Sequence, residues 1–137
     1  MADYKASAER WFGEVLSAGK VDVIDELVSS DFVDHDPFPG TSPDIQGLKD
    51  SVDIIRSAFP DAQVSADDII VEGNRLAVRS TLRGTHDGDF MGIPATGKKV
   101  EVAGYDMVRF DGDKAAEHWG VIDIAAMMEQ LGVAAGA

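Results

Sequence analysis

Apolar residues recur at three- and four-residue intervals through the first part of the chain and at two-residue intervals after about position 62. Tyr4, Ala8, Trp11, Phe12, Val15 and Leu16 fall on one helical face, with Asp3 placed to cap that helix and Gly19 to stop it. Asp22 is placed to cap a second, shorter helix carrying Val23, Ile24, Leu27 and Val28. The stretch DFVDHDPFPGTSPD follows, and Pro37, Pro39 and Pro43 rule out a helix and interrupt any strand ladder. The pattern predicts a short strand over Asp31–Asp34 and then an ordered loop. Asp44 opens a third helix with Ile45, Leu48, Val52 and Ile55 inward, ending near Phe59-Pro60.

The period-two region predicts strands over 62–72 and 75–86, joined by a turn at Glu72-Gly73-Asn74. Leu76, Val78, Ser80, Leu82, Gly84 and His86 share one face of the second strand. A long loop spans Asp87–Lys98. Val100, Val102, Gly104, Asp106, Val108 and Phe110 then alternate with polar or exposed positions. Asp111-Gly112-Asp113 turns the chain into a last strand with Ala116, His118, Gly120 and Ile122 on one face. A short helix with Met128 and Leu131 inward ends the pattern. Helices first and a strand meander afterwards predict an α+β fold: a cone-shaped α+β barrel, three N-terminal helices packed on a curved antiparallel sheet. One domain is expected over residues 1–137, with no repeat and no low-complexity segment beyond the tail GVAAGA.

Composition narrows the partners. Apolar residues form 45% of the chain, enough for a packed core. The net charge of −13 repels phosphate backbones and anionic lipid, so neither nucleic acid nor a membrane surface is an expected partner. The absence of cysteine removes disulfides, thiol nucleophiles and thiolate metal sites. No apolar leader is evident at the N-terminus and no run is long enough to span a bilayer, so a cytoplasmic location is expected.

Two polar residues interrupt the apolar faces of the last two strands. Counting outward from a turn flanked by Phe110 and Lys114 sets Asp106 opposite His118. A buried carboxylate needs a partner, and an imidazole is a suitable one. The same two groups compose a general acid–base unit, and the pair is equally able to be purely structural. His86 has inward parity at its strand end, and His35 lies just before the prolines, so all three histidines could converge on one cavity. No close histidine spacing points to a metal, and none is expected. Trp11, Phe38, Phe59, Phe90 and Met91 are candidate pocket-lining residues, with Phe90 and Met91 placed in the glycine-rich loop as a lid.

The stretches FVDHDPFPG, AFPD, RGTHDGDFMGIPATGKKV and DMVRFDGDKAAEHWGVID, followed by MMEQLG, resemble the SnoaL-like polyketide cyclases. These belong to the wider cystatin-like cone folds that include ketosteroid isomerase, scytalone dehydratase and limonene epoxide hydrolase. The resemblance covers residues 4–132. It implies an apolar pocket, no metal or cofactor, and intramolecular aldol ring closure of polyketide esters by a carboxylate acid–base group. In the family that carboxylate often closes an EHWD motif. Here the motif reads Glu117-His118-Trp119-Gly120, and Asp106 stands where the family has a histidine. The glycine is expected to enlarge the pocket, and Asp106 is the candidate relocated base.

The expected function is therefore cofactor-free proton transfer on a small apolar carbonyl compound, with Asp106 and His118 as base and acid and His35 assisting. The alternatives are a ligand-binding module without turnover, and hydration or epoxide opening. Ala77, Tyr105, Met107, Trp119 and Val121 share the outward sheet face, which predicts a homodimer packed sheet to sheet.

Overall fold

A computed structural model describes residues 3–133; the final residues of the tail GVAAGA, 134–137, lie outside the described residues. Helix α1 (Tyr4–Arg10) runs on into π-helical turns over Trp11–Ser17. The Asp3 carboxylate accepts from the Ala6 N–H at 2.9 Å and caps its start. Gly19 ends the segment with φ of +73°, a left-handed conformation that glycine adopts without a Cβ penalty. The second helix, α2 (Ile24–Leu27), is a single turn entered through a 3-10 turn at Val21–Val23, and Asp22 lies inside that turn without capping it. Strand β1 (Val28–Asp34) begins three residues earlier than the pattern indicates. Helix α3 (Ile45–Ala58) is capped by Asp44, whose carboxylate accepts from the Gly47 N–H at 3.0 Å.

Strands β2 (Gln63–Glu72), β3 (Arg75–Thr85), β4 (Lys99–Asp111) and β5 (Lys114–Ile122) form the predicted meander, and α4 (Ile124–Gln130) closes the described chain. Met127, rather than Met128, is the fully buried methionine of α4. The sheet order is β1-β5-β4-β3-β2. It is antiparallel from β2 to β5, and β1 adds to its edge parallel to β5. Register shifts lie at Ala66/Asp68 and Arg109/Phe110, and such bulges bend a strand and increase its twist. Leu76, Val78 and Phe110 of the curved sheet are buried, as are Phe12 and Val15 of the helical layer. Each such side chain stabilises the fold by roughly 1.5–3 kcal/mol on full burial. Among the described residues, no helix is long and apolar enough to cross a membrane.

One register detail differs from expectation. Asp111 pairs with Lys114 around a two-residue turn, and the irregularity at Arg109/Phe110 then offsets the ladder. Asp106 is therefore opposite Gly120, and His118 opposite Val108. Asp106 and His118 keep the same face and become diagonal neighbours, still within reach of one another.

Candidate active site

Helices and sheet enclose an apolar cavity of about 420 Å³, in the size range of small-molecule sites. Its polar end is built by β1, β4 and β5. The parallel pairing of β1 with β5 sets Asp34 beside His118. The imidazole is held on both sides: Nδ1 lies 2.8 Å from Asp34 Oδ1, and Nε2 lies 2.7 Å from Asp106 Oδ1. Asp34 is buried, and its Oδ1 also accepts from the Asp36 N–H at 3.0 Å. Asp36 in turn accepts from the Gly120 N–H at 2.9 Å, which ties the loop after β1 to β5.

This arrangement sets the charge on His118. Burial alone would push the imidazole down. The hydrogen bonds that the ring donates to Asp106 and Asp34, with the charges of both carboxylates, overcome that and raise its pKa to about 9. The geometry gives the same sense. A neutral imidazole carries one N–H, so one ring nitrogen would meet a carboxylate lone pair to lone pair. The imidazolium donates to both. At neutral pH His118 is a bound cation.

The glycine at 120 does not enlarge the cavity. A Cβ there would collide with Asp106 Oδ1 and lie 2.7 Å from His118 Nε2 and 2.9 Å from the Tyr105 carbonyl oxygen. The carboxylate of Asp106 and the ring of His118 already occupy that space.

Of the residues singled out from sequence, Asp106, His118, Gly120, Trp11 and Phe38 line the cavity. The others lie elsewhere. His35 alternates to the outer side of β1, bonds Glu117 Oε2 at 2.7 Å and stacks on Trp119 at 4.8 Å. Its hydrogen bond, and then that of Arg109, hold the Glu117 carboxyl below the usual carboxylate range. His86 is fully buried, accepts at Nδ1 from the Thr96 N–H at 3.2 Å, and packs 5.6 Å from Phe59. Phe90 is sealed into the core against Phe59 and Phe38, at 5.5 and 6.1 Å, while Met91 is exposed at the loop tip. The loop over 87–98 is pinned by Phe90 and by the Gly88 N–H bonded to the Ala58 carbonyl at 3.1 Å. It thus meets the cavity through Phe38 without contributing a lid.

Asp34 and Asp36 are site residues that the sequence reading passes over. The signal was present: Phe32 and Asp34 share one strand face, so an inward Phe32 carries Asp34 inward and His35 outward.

A family model described as SnoaL-like polyketide cyclase matches residues 6–131. The chain belongs to the SnoaL-like polyketide cyclase family. IdmH of Streptomyces antibioticus, a proposed polyketide cyclase, is 31% identical with a TM-score of 0.82, over 94% of this chain and 98% of that one. AclR of Streptomyces galilaeus, a proposed hydroxylase, is 28% identical with a TM-score of 0.83, over 97% and 83% of the two chains. TsrD of Streptomyces laurentii has a TM-score of 0.87 over 96% of both chains and, at 24% identity, shares the fold. No curated protein gives a significant match.

Proposed function

We propose that the chain is a cofactor-free enzyme that moves protons on a small, mainly apolar carbonyl compound held in the cavity, in a cyclisation or isomerisation. The observation that supports this is Asp106. Its Oδ1 is bound to the His118 imidazolium, and its Oδ2 makes no hydrogen bond among the described residues while the side chain lines the cavity. A carboxylate so oriented can take a proton from the carbon next to a carbonyl, leaving an enolate. Its proton then goes back to another carbon in isomerisation, or to the alkoxide formed when the enolate carbon attacks a second carbonyl. Throughout, His118 holds the carboxylate in place and balances its charge, as a positioning cation. His35 takes no part in this scheme.

The reading is tested without knowing the substrate. Neutral β-keto esters and cyclic ketones are incubated with the protein in D2O, and exchange next to the carbonyl is followed by proton NMR. Wild type is expected to exceed buffer and Asp106→Asn to fall to it. Full exchange in Asp106→Asn removes the assignment. Tight binding with no exchange in wild type favours the ligand-binding module, which the mutual satisfaction of Asp34, His118 and Asp106 would also suit.

We further propose a homodimer through the outer sheet face, where Tyr105, Met107, Val121 and Ile70 are exposed together. Light scattering at micromolar concentration is expected to give twice the chain mass, and Met107→Glu to give one chain. A monomeric wild type refutes it.

A further inference from the structure

The polar residues of the cavity are strongly one-sided. Asp34, Asp36 and Asp106 line it, together with His118, and among the described residues no lysine or arginine does. His118 spends both ring nitrogens on two of those carboxylates. The hydroxyls of Ser7, Ser51 and Ser80, which also line the cavity, donate to the carbonyls of Asp3, Leu48 and Gly104, so the polar atoms left for a ligand are chiefly acceptors. Asp106 Oδ2, Asp34 Oδ2 and Asp36 Oδ1 make no hydrogen bond with any of the described residues. Two carboxyl groups clamp one imidazolium and Asp36 adds a third, exposed, at the cavity's rim, so acidic groups outnumber basic ones along the lining.

The rest of the wall adds to the same preference. Trp11, Phe12, Phe32, Phe38 and Phe110 line the cavity, and a cation gains from any aromatic ring whose face it can reach. An anionic ligand would meet carboxylates whose only cationic neighbour in the lining, among the described residues, is the doubly bonded His118. A neutral ligand gains the apolar wall alone. A protonated amine on an apolar body gains the wall, the aromatic faces and the unpartnered carboxylate oxygens.

We propose that the cavity selects an apolar molecule carrying a protonated amine, with the ammonium at the Asp36–Asp106 end. This deepens the proposed function and rests on the same cavity being the binding site: the substrate is an amine-bearing carbonyl compound. Asp36 is then the residue that selects charge, and Asp106 the one that performs proton transfer.

The test uses three probes of one shape: 2-naphthylmethylamine, 2-naphthylmethanol and 2-naphthoate. Their binding to the intact protein is measured by calorimetry at pH 7. The amine is expected to bind at least about ten-fold more tightly than the alcohol, with the naphthoate weakest. Asp36→Asn should shrink the amine's advantage over the alcohol several-fold. Methylamine, which lacks the apolar body, should not compete. Equal or tighter binding of the alcohol or the naphthoate overturns the proposal, as does no binding of any probe. An amine preference unchanged in both Asp36→Asn and Asp106→Asn also overturns it, because the ammonium would then be reading the acidic outer surface. No turnover enters these measurements. A missing exchange reaction with an intact amine preference thus rejects the catalytic reading alone.

Discussion

Asp106 and Gly120 face one another across β4 and β5, and the carboxylate of the first fills the space in which a side chain on the second would begin. A side chain at position 120 and the carboxylate of Asp106 as placed here therefore exclude each other. Gly120→Ala is the direct probe. In an ordinary strand interior alanine is better than glycine by roughly 0.5–1 kcal/mol. Here the Cβ meets Asp106, His118 and the Tyr105 carbonyl, and overpacking of this kind typically costs about 1–3 kcal/mol. Denaturant unfolding is expected to show a loss, and NMR a lowered His118 pKa. Gly120→Ala as stable as wild type, with His118 titrating unchanged, would show that the crowding is not real.

The clamp on His118 gives a definite pH dependence. Its folded pKa of about 9 lies above the ordinary 6.5. The stability it supplies is therefore complete below the unfolded value and is lost as pH rises through the folded one. The difference corresponds to about 3 kcal/mol between pH 6 and pH 10. Unfolding free energies measured across that window should fall, and the His118 ring proton should titrate near the upper end. A His118 midpoint at or below 6.5 contradicts the clamp.

Much of this fold is written in the period of its apolar residues. The change from helical to strand spacing places α1, α3 and strands β2 to β5, and the caps Asp3 and Asp44 act as their positions suggest, while the start of β1 at Val28 lies in a stretch read as helical. Parity also places Asp106 and His118 on one face. What parity cannot carry is register. The offset at Arg109/Phe110 depends on how β4 packs in three dimensions, and together with the two-residue turn it converts an opposite pair into a diagonal one. Long-range pairing is hidden for the same reason. Nothing near Asp34 in sequence says that β1 lies beside β5, so its hydrogen bond to His118, 84 residues away, appears only in the folded chain.

Phe90 separates two views of the loop over 87–98. A lid residue would be dispensable to stability. Phe90 is instead fully buried between Phe38 and Phe59. Phe90→Ala is expected to cost about 3–5 kcal/mol, as for other buried aromatics. Met91→Ala, at the exposed tip, should stay within about 0.5 kcal/mol. Thermal or urea unfolding of both variants checks this, and equal small effects would restore the lid.

Asp34 is the buried partner that holds His118 from the side away from Asp106, and Asp34→Asn isolates its charge. The amide keeps the shape, and its oxygen still accepts from the imidazolium, but the attraction is weakened. At neutral pH, where His118 is charged, the variant is expected to lose about 1–3 kcal/mol, the usual cost of weakening a buried charged hydrogen bond. The balance changes when the ring loses its proton. A neutral His118 can turn a bare nitrogen toward position 34, where a carboxylate repels it and an amide N–H donates to it. The gap between the two proteins should therefore close as pH rises past about 9. His118 in the variant should titrate below its wild-type value but remain above an exposed histidine, because Asp106 is still bound to Nε2. Paired unfolding curves at several pH values, with NMR titration of the ring, supply both readouts. A gap that stays constant across the range would mean that Asp34 acts through packing alone, and that the charge on His118 is set by Asp106 without it.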